Sequence, residues 1–190
     1  LLYCNASNIM SKFSICIPTY EMGGYGYVFL NELLTELKQQ TFKDFEIVIS
    51  DQSDDDKISE VCNSHTSDLE ILYVKYPENK GKAACNINHA MKHARGEIIK
   101  ILYQDDFFVD ADALSKIAKA FDDGANWVIN GFTHSHDKKE FFNTRVPFYG
   151  DHVLLGENTV GNPSNVSIRN DDDKIYMDES ILYVVDCEYY

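Results

Sequence analysis

Two adjacent carboxylates at the end of an apolar run are the residues best suited to chemistry. The run 97–102 has the composition of a buried strand, and Asp105 and Asp106 follow it closely. Ligands of parallel α/β sheets bind beyond the carboxyl ends of the strands. Mg²⁺ and Mn²⁺ are held by one or two carboxylates together with substrate phosphates. The pair therefore predicts a metal site facing a diphosphate; the alternative is a capping pair for the helix that starts near Asp112.

The apolar pattern along the chain predicts the elements that must position this pair. Strand-like and helix-like segments alternate. Strands are predicted at 13–18, 45–50, 69–76, 97–102 and 127–130, and helices at 27–39, 54–64, 82–94 and 112–121. This alternation predicts an α/β fold with three α/β/α layers and a mostly parallel central sheet. After about Thr133 the pattern loosens into aromatic pieces separated by glycines, which suggests a second half that shapes a cleft for a second substrate.

Composition limits the class of protein. A chain of 190 residues with 44% hydrophobic residues suits one α/β domain, predicted here as 10–190 with 1–9 as an upstream extension. The five cysteines are scattered and predict neither a zinc site nor a disulfide framework. The last residues, 183–190, read as the opening of a helix without a closing signal, so we expect a C-terminal part to be missing.

The charge balance limits the partners. The formal net charge of −14 argues against a nucleic-acid partner, because that affinity comes from basic residues that neutralise phosphates. A metal ion should therefore bridge any diphosphate ligand to the acidic site. No apolar run reaches the roughly 20 residues that cross a bilayer, and no signal peptide is recognisable. These features predict a cytoplasmic protein.

The ordered set of motifs resembles the family 2 glycosyltransferases, which have the GT-A fold. The matching segments, in family order, are Ser14–Glu21, Ile47–Asp54, Asn79–Gly81, Gly96–Asp106, Gly161–Ser164 and Asp178–Asp186. The resemblance implies an inverting enzyme that moves a sugar from a nucleotide donor, a UDP-sugar, to an acceptor hydroxyl with the help of Mg²⁺ or Mn²⁺. It also implies a glycan or lipid-linked acceptor in polysaccharide or glycolipid synthesis, and peripheral association with the inner face of a membrane.

The resemblance assigns donor-binding roles to residues of these motifs. Tyr20 would stack on the base, a contact that any π-face can make, unless its ring instead packs on the core. Asp51 would accept hydrogen bonds from the base or the ribose, and Lys82 would face a phosphate unless Lys80 and Lys82 are ordinary surface charges. The full predicted donor set is Pro18, Thr19, Tyr20, Glu21, Asp51, Gly81, Lys82, Asn86, Gln104 and Asp105.

The catalytic assignments also follow from the resemblance. Asp105 and Asp106 are the predicted metal ligands, and Tyr103 stands where the family often has a further aspartate. Asp186 falls where inverting members place the catalytic base, which accepts the proton of the acceptor hydroxyl. The competing interpretations are that Glu188 is the base or that Asp186 is a solvated surface residue.

Two other classes of protein share parts of this pattern. A sugar-nucleotide pyrophosphorylase would need a basic, glycine-rich loop after the first strand, but residues 20–25 contain no Lys or Arg. A non-catalytic nucleotide- or carbohydrate-binding relative would keep the motifs without the transfer reaction.

Overall fold

A six-stranded sheet forms the centre of the fold in a computed structural model that describes residues 10–181 and 185–190, apart from the side chain of Val185. The predicted extension 1–9 lies outside the described residues. Its strands are β1 (Phe13–Thr19), β2 (Phe45–Asp51), β3 (Ile71–Lys75), β4 (Ile98–Ile101), β5 (Trp127–Ile129) and β8 (Val166–Arg169). Across the sheet their order is β3-β2-β1-β4-β8-β5.

The first four strands are parallel, as the alternation predicts. β1 lies between β2 and β4, with Ile15 opposite both Ile47 and Lys100. Every residue of β1, β2 and β4 is buried. Such strands read as continuous apolar runs because helices cover both faces of a parallel sheet. The carboxyl ends of β1 to β4 therefore meet at one edge, and the loops that follow them lie together.

Helices cover both faces and complete the three layers. One face packs on α1 (Gly26–Leu37), α2 (Lys57–His65) and α4 (Ala113–Asp122), and its core contains Ile15, Leu34 and Phe121. The other face packs on α3 (Ala83–Lys92) through a smaller cluster that contains Ile87 and Ile99. Alternate residues of a strand point to opposite faces, so β1 to β4 each contribute to both clusters. The predicted elements thus form at the predicted places, and their ends coincide or shift by up to three residues.

The second half departs from the βα series. β8 pairs antiparallel with both β4 and β5, so the strand formed by Trp127–Ile129 lies at the sheet edge and not beside β4. The strand β8 is not among the predicted strands, and its four residues alternate between apolar and polar. A separate hairpin pairs β6 (Phe132–Ser135) with β7 (Phe141–Arg145).

The C-terminal residues pack beside this second half. The short helix α5 (Val185–Tyr189) agrees with the helix predicted there, and Cys187 packs with Val153, Val160 and Val166. Residues 183 and 184 of the predicted segment lie outside the described residues. No helix in the described part of the chain is long and apolar enough to span a membrane.

Candidate active site

A cavity of about 490 Å³ lies at the edge where the parallel strands end. Six of the ten predicted donor-binding residues line it: Pro18, Tyr20, Gly81, Asn86, Gln104 and Asp105. Met22, Gln52, Lys80, Ala83 and Tyr103 complete the wall. The other four predicted residues, Thr19, Glu21, Asp51 and Lys82, do not line the cavity. Its position agrees with the rule that ligands of open α/β sheets bind beyond the strand ends.

Tyr20 presents an exposed ring to this cavity. Gln104 holds its backbone with two hydrogen bonds: the Tyr20 N–H donates to Oε1 at 2.8 Å, and Nε2 donates to the Tyr20 carbonyl at 3.1 Å. Gly26 allows this approach, because a Cβ there would lie 2.1 Å from the Tyr20 carbonyl oxygen. The Tyr20 residue is 50% exposed, so the interpretation that its ring packs in the core is wrong. Both polar atoms of the Gln104 amide are hydrogen-bonded to the Tyr20 backbone, so this side chain positions Tyr20.

Asp51 lies fully buried at the end of β2. Its carboxylate accepts hydrogen bonds from the Tyr73 hydroxyl at 2.8 Å, the Lys75 ammonium at 3.1 Å and the Ser53 N–H at 2.9 Å. Burial and the hydrogen bond to Asp51 raise the pKa of the Tyr73 phenol, which therefore stays a donor. Asp51 is buried and does not line the cavity. A contact between Asp51 and a nucleotide base stays a prediction.

A hydrogen bond connects Asn86, which lines the cavity, to Thr19, which does not. The Asn86 Nδ2 donates to the carbonyl of the buried Thr19 at 3.0 Å. The Oδ1 atom of Asn86 is buried and lacks a hydrogen-bond partner within the described residues. An unpaired buried amide oxygen is costly, so a ligand donor in the adjoining cavity would be favourable there.

Lys80, and not Lys82, forms the basic part of the cavity wall. The turn before α3 places Asn79 and Gly81 at φ angles of 54° and 83°. Lys80 pairs with Glu21 and Asp54, both at 2.5 Å, and so joins the loops after β1, β2 and β3. Burial acts to raise the pKa of Glu21, but the Lys80 ammonium and backbone N–H donors together outweigh it and keep that pKa low. Lys82 does not line the cavity, and its predicted contact with a phosphate stays a prediction.

Asp105 and Asp106 have different surroundings. Asp105 is exposed and lines the cavity, whereas Asp106 is half-buried. Burial and the neighbouring Asp105 charge raise the pKa of Asp106, while hydrogen bonds from Ser164 and Asn162 act in the opposite direction. Neither residue caps α4, because that helix begins at Ala113 with Asp112 in the N-cap position. The alternative of a capping pair is therefore wrong.

The loop that holds Asp106 is the motif Gly161–Ser164, which the resemblance predicts to lead towards the acceptor side. The Asn162 Nδ2 donates to Asp106 at 3.0 Å. The Ser164 hydroxyl accepts a hydrogen bond from the Tyr103 N–H at 2.8 Å, and its carbonyl accepts one from the buried Lys100 ammonium. These residues border a second cavity of about 360 Å³ on the side of the α1 and α4 layer. The motif Gly161–Ser164 was visible in the sequence, but its contact with Asp106 was not.

The two carboxylates fit a metal that shares its coordination with a ligand. No group of three or more His, Cys, Asp or Glu side chains within residues 10–181 and 185–190 is arranged to hold a metal ion. Mg²⁺ and Mn²⁺ do not need such a cage, because they keep several waters and bind through one or two carboxylates plus substrate phosphates. Asp105 has the exposure to supply such a carboxylate, and Asp106 lies beside it.

Asp186 belongs to the same electrostatic neighbourhood. Burial, followed by the negative charges of Asp186, Asp106 and Asp105, raises the pKa of the Tyr103 phenol well above its usual value. Asp186 is partly buried and accepts a hydrogen bond from Asn158 Nδ2. Glu188 instead is exposed and accepts a bond from the Asp178 N–H at 3.3 Å. Of these two carboxylates, only Asp186 acts on Tyr103, and its role as the base stays a prediction.

The sequence profile of Glycosyl transferase family 2 matches residues 14–184. The chain belongs to this family. Its relatives include the uncharacterized glycosyltransferase YfnE of Bacillus subtilis, which is 29% identical over 120 residues, or 63% of this chain and 29% of YfnE. The GalNAc(5)-diNAcBac-PP-undecaprenol beta-1,3-glucosyltransferase of Campylobacter jejuni is 32% identical over 116 residues, or 60% of this chain and 36% of that enzyme.

Solved structures confirm the GT-A fold. The crystal structure of Staphylococcus aureus TarS 1–349 in complex with UDP has a TM-score of 0.71 and 23% identity, and the match covers 94% of this chain and 53% of that one. The mannosyltransferase PcManGT of Pyrobaculum calidifontis, in complex with GDP-Man and Mn²⁺, has a TM-score of 0.56, 23% identity and coverage of 69% and 38%. This family 2 chain spans about half the length of the TarS structure and about a third of the two relatives.

Proposed function

We propose that this chain carries the donor site and catalytic base of an inverting glycosyltransferase that uses a UDP-sugar. The proposal is carried by one observation: the exposed Tyr20 ring and the exposed Asp105 carboxylate line the same cavity. The negative charge of Asp186 raises the pKa of Tyr103, which lines that cavity beside Asp105. A base-stacking ring and a metal-binding carboxylate in one cavity suit a nucleoside diphosphate.

The roles of the donor site follow from its shape. The base stacks on Tyr20, whose backbone Gln104 holds in place. Asp105, with Asp106 beside it, would hold Mg²⁺ or Mn²⁺, which would supply positive charge to the leaving diphosphate. Asn162 and Ser164 hold Asp106 in a fixed orientation.

The transfer step needs a base close to the bond that breaks. Asp186 accepts the proton of the acceptor hydroxyl as its oxygen attacks the anomeric carbon from the side opposite the diphosphate. The bond from that carbon to the diphosphate oxygen breaks, and UDP leaves with the electron pair. One displacement inverts the configuration, and the proton remains on Asp186 until water removes it.

The acceptor that we propose is a growing glycan or a lipid-linked glycan, reached at the inner face of a membrane. The support is the names of the relatives: one is a glucosyltransferase for an undecaprenol-linked glycan, and TarS is a poly(ribitol-phosphate) N-acetylglucosaminyltransferase. Polysaccharide or glycolipid synthesis would be the corresponding pathway class. The exposed aromatic surface of the second half offers space for such an acceptor.

UDP titration by calorimetry, with Mn²⁺ or with EDTA, tests the donor site. We expect Asp105→Asn to weaken UDP binding about tenfold or more in Mn²⁺ and to change it little in EDTA, because the lost charge acts through the metal. Asp123→Asn, at the exposed end of α4, is the control and should bind as the unmutated chain does. A folded protein that binds no UDP, or an Asp105→Asn protein with unchanged affinity in Mn²⁺, would contradict the proposed donor site.

A transfer assay on the Asp186→Asn variant distinguishes an enzyme from a non-catalytic relative. Asp186→Asn should keep its UDP affinity within about twofold, while release of UDP from a UDP-sugar in the presence of acceptor falls about 100-fold or more, the usual contribution of a general base. Equal rates for both proteins would show that Asp186 is not the base. Donor binding without any transfer by the unmutated protein would favour the non-catalytic relative.

A further inference from the structure

Gln52 lines the donor cavity although the residue is almost fully buried. It directly follows β2 and is 3% exposed. Its backbone N–H donates to the Thr19 carbonyl at 2.9 Å, which extends the hydrogen bonds between β2 and β1 past their last paired residues. Gln52 therefore has a fixed place in the cavity wall, next to Tyr20, the residue that follows Thr19.

The side-chain amide of Gln52 can present only its oxygen to a ligand. Nε2 donates to the backbone carbonyls of Glu78 and Asn79, each at 3.1 Å. A carbonyl oxygen only accepts hydrogen bonds, so these two contacts fix which end of the amide is the nitrogen. Within the described residues Oε1 makes no hydrogen bond, and unlike Asn86 Oδ1 it is not closed off from open space. The space that it faces is the cavity that Gln52 lines.

The order of the strands places this oxygen at one end of the cavity. Gln52 follows β2, Tyr20 follows β1 and Asp105 follows the end of β4, and β1 lies between the other two strands. Neighbouring strands lie about 4.8 Å apart, so Gln52 and Asp105 are separated by roughly 10 Å, with Tyr20 between them. A nucleotide whose base stacks on Tyr20 and whose diphosphate lies near Asp105 therefore turns the edge of its base towards Gln52.

The chemistry of that edge decides which base suits the oxygen. Uracil has an N–H donor at position 3, at the centre of its hydrogen-bonding edge, whereas cytosine has a bare nitrogen acceptor there. A freely rotating amide could adapt to cytosine by turning its own nitrogen towards the base. In Gln52 this rotation would break both hydrogen bonds to the loop after β3, so the oxygen stays in place.

We propose that Gln52 Oε1 accepts a hydrogen bond from the N3–H of a uracil base and so selects uridine over cytidine nucleotides, a role that rests on the proposed donor site. Asp51 is the residue that the resemblance predicts for a contact with the base. It is fully buried, and its carboxylate is already bonded to Tyr73 and Lys75. The acceptor that reaches the cavity is thus the neighbouring residue, Gln52.

Calorimetric titration of UDP and CDP in Mn²⁺ tests this selection. We expect the unmutated chain to bind UDP about tenfold more tightly than CDP, because CDP replaces a hydrogen bond with two acceptors that face each other. Gln52→Met should reduce that ratio to within about threefold. Loss of the Nε2 bonds weakens both nucleotides equally, so the ratio reports the base contact alone. Gln39→Met, at an exposed position after α1, is the control and should keep the unmutated ratio.

UDP that carries a methyl group on N3 gives a second measurement, which needs no substitution in the chain. The methyl group removes the donor, so the unmutated chain should bind this nucleotide about tenfold or more weakly than UDP. Equal affinities for the two would overturn the base contact even if Gln52→Met does not fold.

The outcomes separate this contact from the proposed function. If the unmutated chain binds UDP and CDP equally, or if Gln52→Met keeps the full ratio, the base contact is wrong and the donor site stands. If the folded, unmutated chain binds neither nucleotide, the donor site and the base contact both fall.

Discussion

Lys100 is a charged residue within an apolar strand. It lies on the same face of the sheet as Ile98 and Leu102, and it is 1% exposed. Its ammonium donates to the Ser164 carbonyl and lies 5.7 Å from the centre of the Phe108 ring. Burial lowers the pKa of Lys100 to about 7, although the Asp106 charge acts in the opposite direction. The Lys100 amine thus connects the loop that holds Asp106 to the sheet. The free-energy cost of burying this amine depends on pH, because the charged form is the one that burial disfavours.

The stability of the chain should depend on pH through this amine. The pKa of Lys100 is about 7 in the folded chain and 10.5 when unperturbed, so the unfolded chain binds more protons between these values. The free energy of unfolding should therefore rise with pH there, by at most about 1.4 kcal/mol per pH unit. Lys100→Met should remove that slope in urea unfolding measured in EDTA at pH values of about 7, 8 and 9.

Lys12→Met is the matched control for this measurement. Hydrogen bonds from Lys12 to Asp122 and Glu97 raise the pKa of Lys12, which stays charged across this pH range. Its loss should shift the unfolding free energy equally at each pH. Parallel curves for Lys100→Met and the unmutated chain would show that the buried amine does not titrate in this window.

At the scale of elements, α3 connects the donor cavity to the segment before α5. Asn86 bonds the end of β1, while Asn88 holds the backbone of Met177 from both sides: Nδ2 donates to its carbonyl at 2.8 Å and Oδ1 accepts from its N–H at 3.0 Å. Nδ2 of Asn88 also lies 3.0 Å from Glu179. One helix therefore positions two segments that are far apart in the sequence.

Asn88→Ala should destabilise the chain by about 2–4 kcal/mol, because it leaves the N–H and the carbonyl of buried Met177 without partners. The free energy from urea unfolding measures this loss. Asn63→Ala, at an exposed position of α2, is the control and should stay within about 0.5 kcal/mol of the unmutated chain. An equally small change for Asn88→Ala would mean that water or a neighbouring group replaces the Asn88 bonds.

At the scale of the whole molecule, negative charge opposes compactness. The chain has 31 acidic and 17 basic residues, which gives the formal net charge of −14. Self-repulsion of this kind destabilises a folded state and is screened by salt. The ion pairs that salt would weaken are mostly at the surface, where each contributes little. Added salt should therefore stabilise the chain.

Scanning calorimetry in low and high NaCl tests this balance. Between about 20 mM and about 500 mM NaCl, over which the screening length shortens from roughly 20 Å to about 4 Å, we expect Tm to rise by about 2–4 °C, which corresponds to about 1 kcal/mol for a chain of this size. A fall in Tm over the same range would show that the surface ion pairs outweigh the repulsion.

The order of the elements and the place of the acidic pair follow from local pattern. Apolar runs such as Ile47–Ile49 and the helical spacing of Leu30, Leu33 and Leu37 depend on neighbours a few residues away, so the sequence alone predicts β1 to β4 and the helices between them. Parallel strands end at one edge, and this places Tyr20 and Asp105 together without any tertiary information.

The division of roles within the site depends on contacts between distant residues. Asp106 is held by Asn162 from 56 positions away, and Lys100 bonds the carbonyl of Ser164 from 64 positions away. Such pairs leave no local signal, because their energies come from hydrogen-bond geometry and burial that exist only after β8 inserts beside β4. For the same reason the sequence predicts an acidic pair, while tertiary packing makes Asp105 the exposed member and Asp106 the half-buried one.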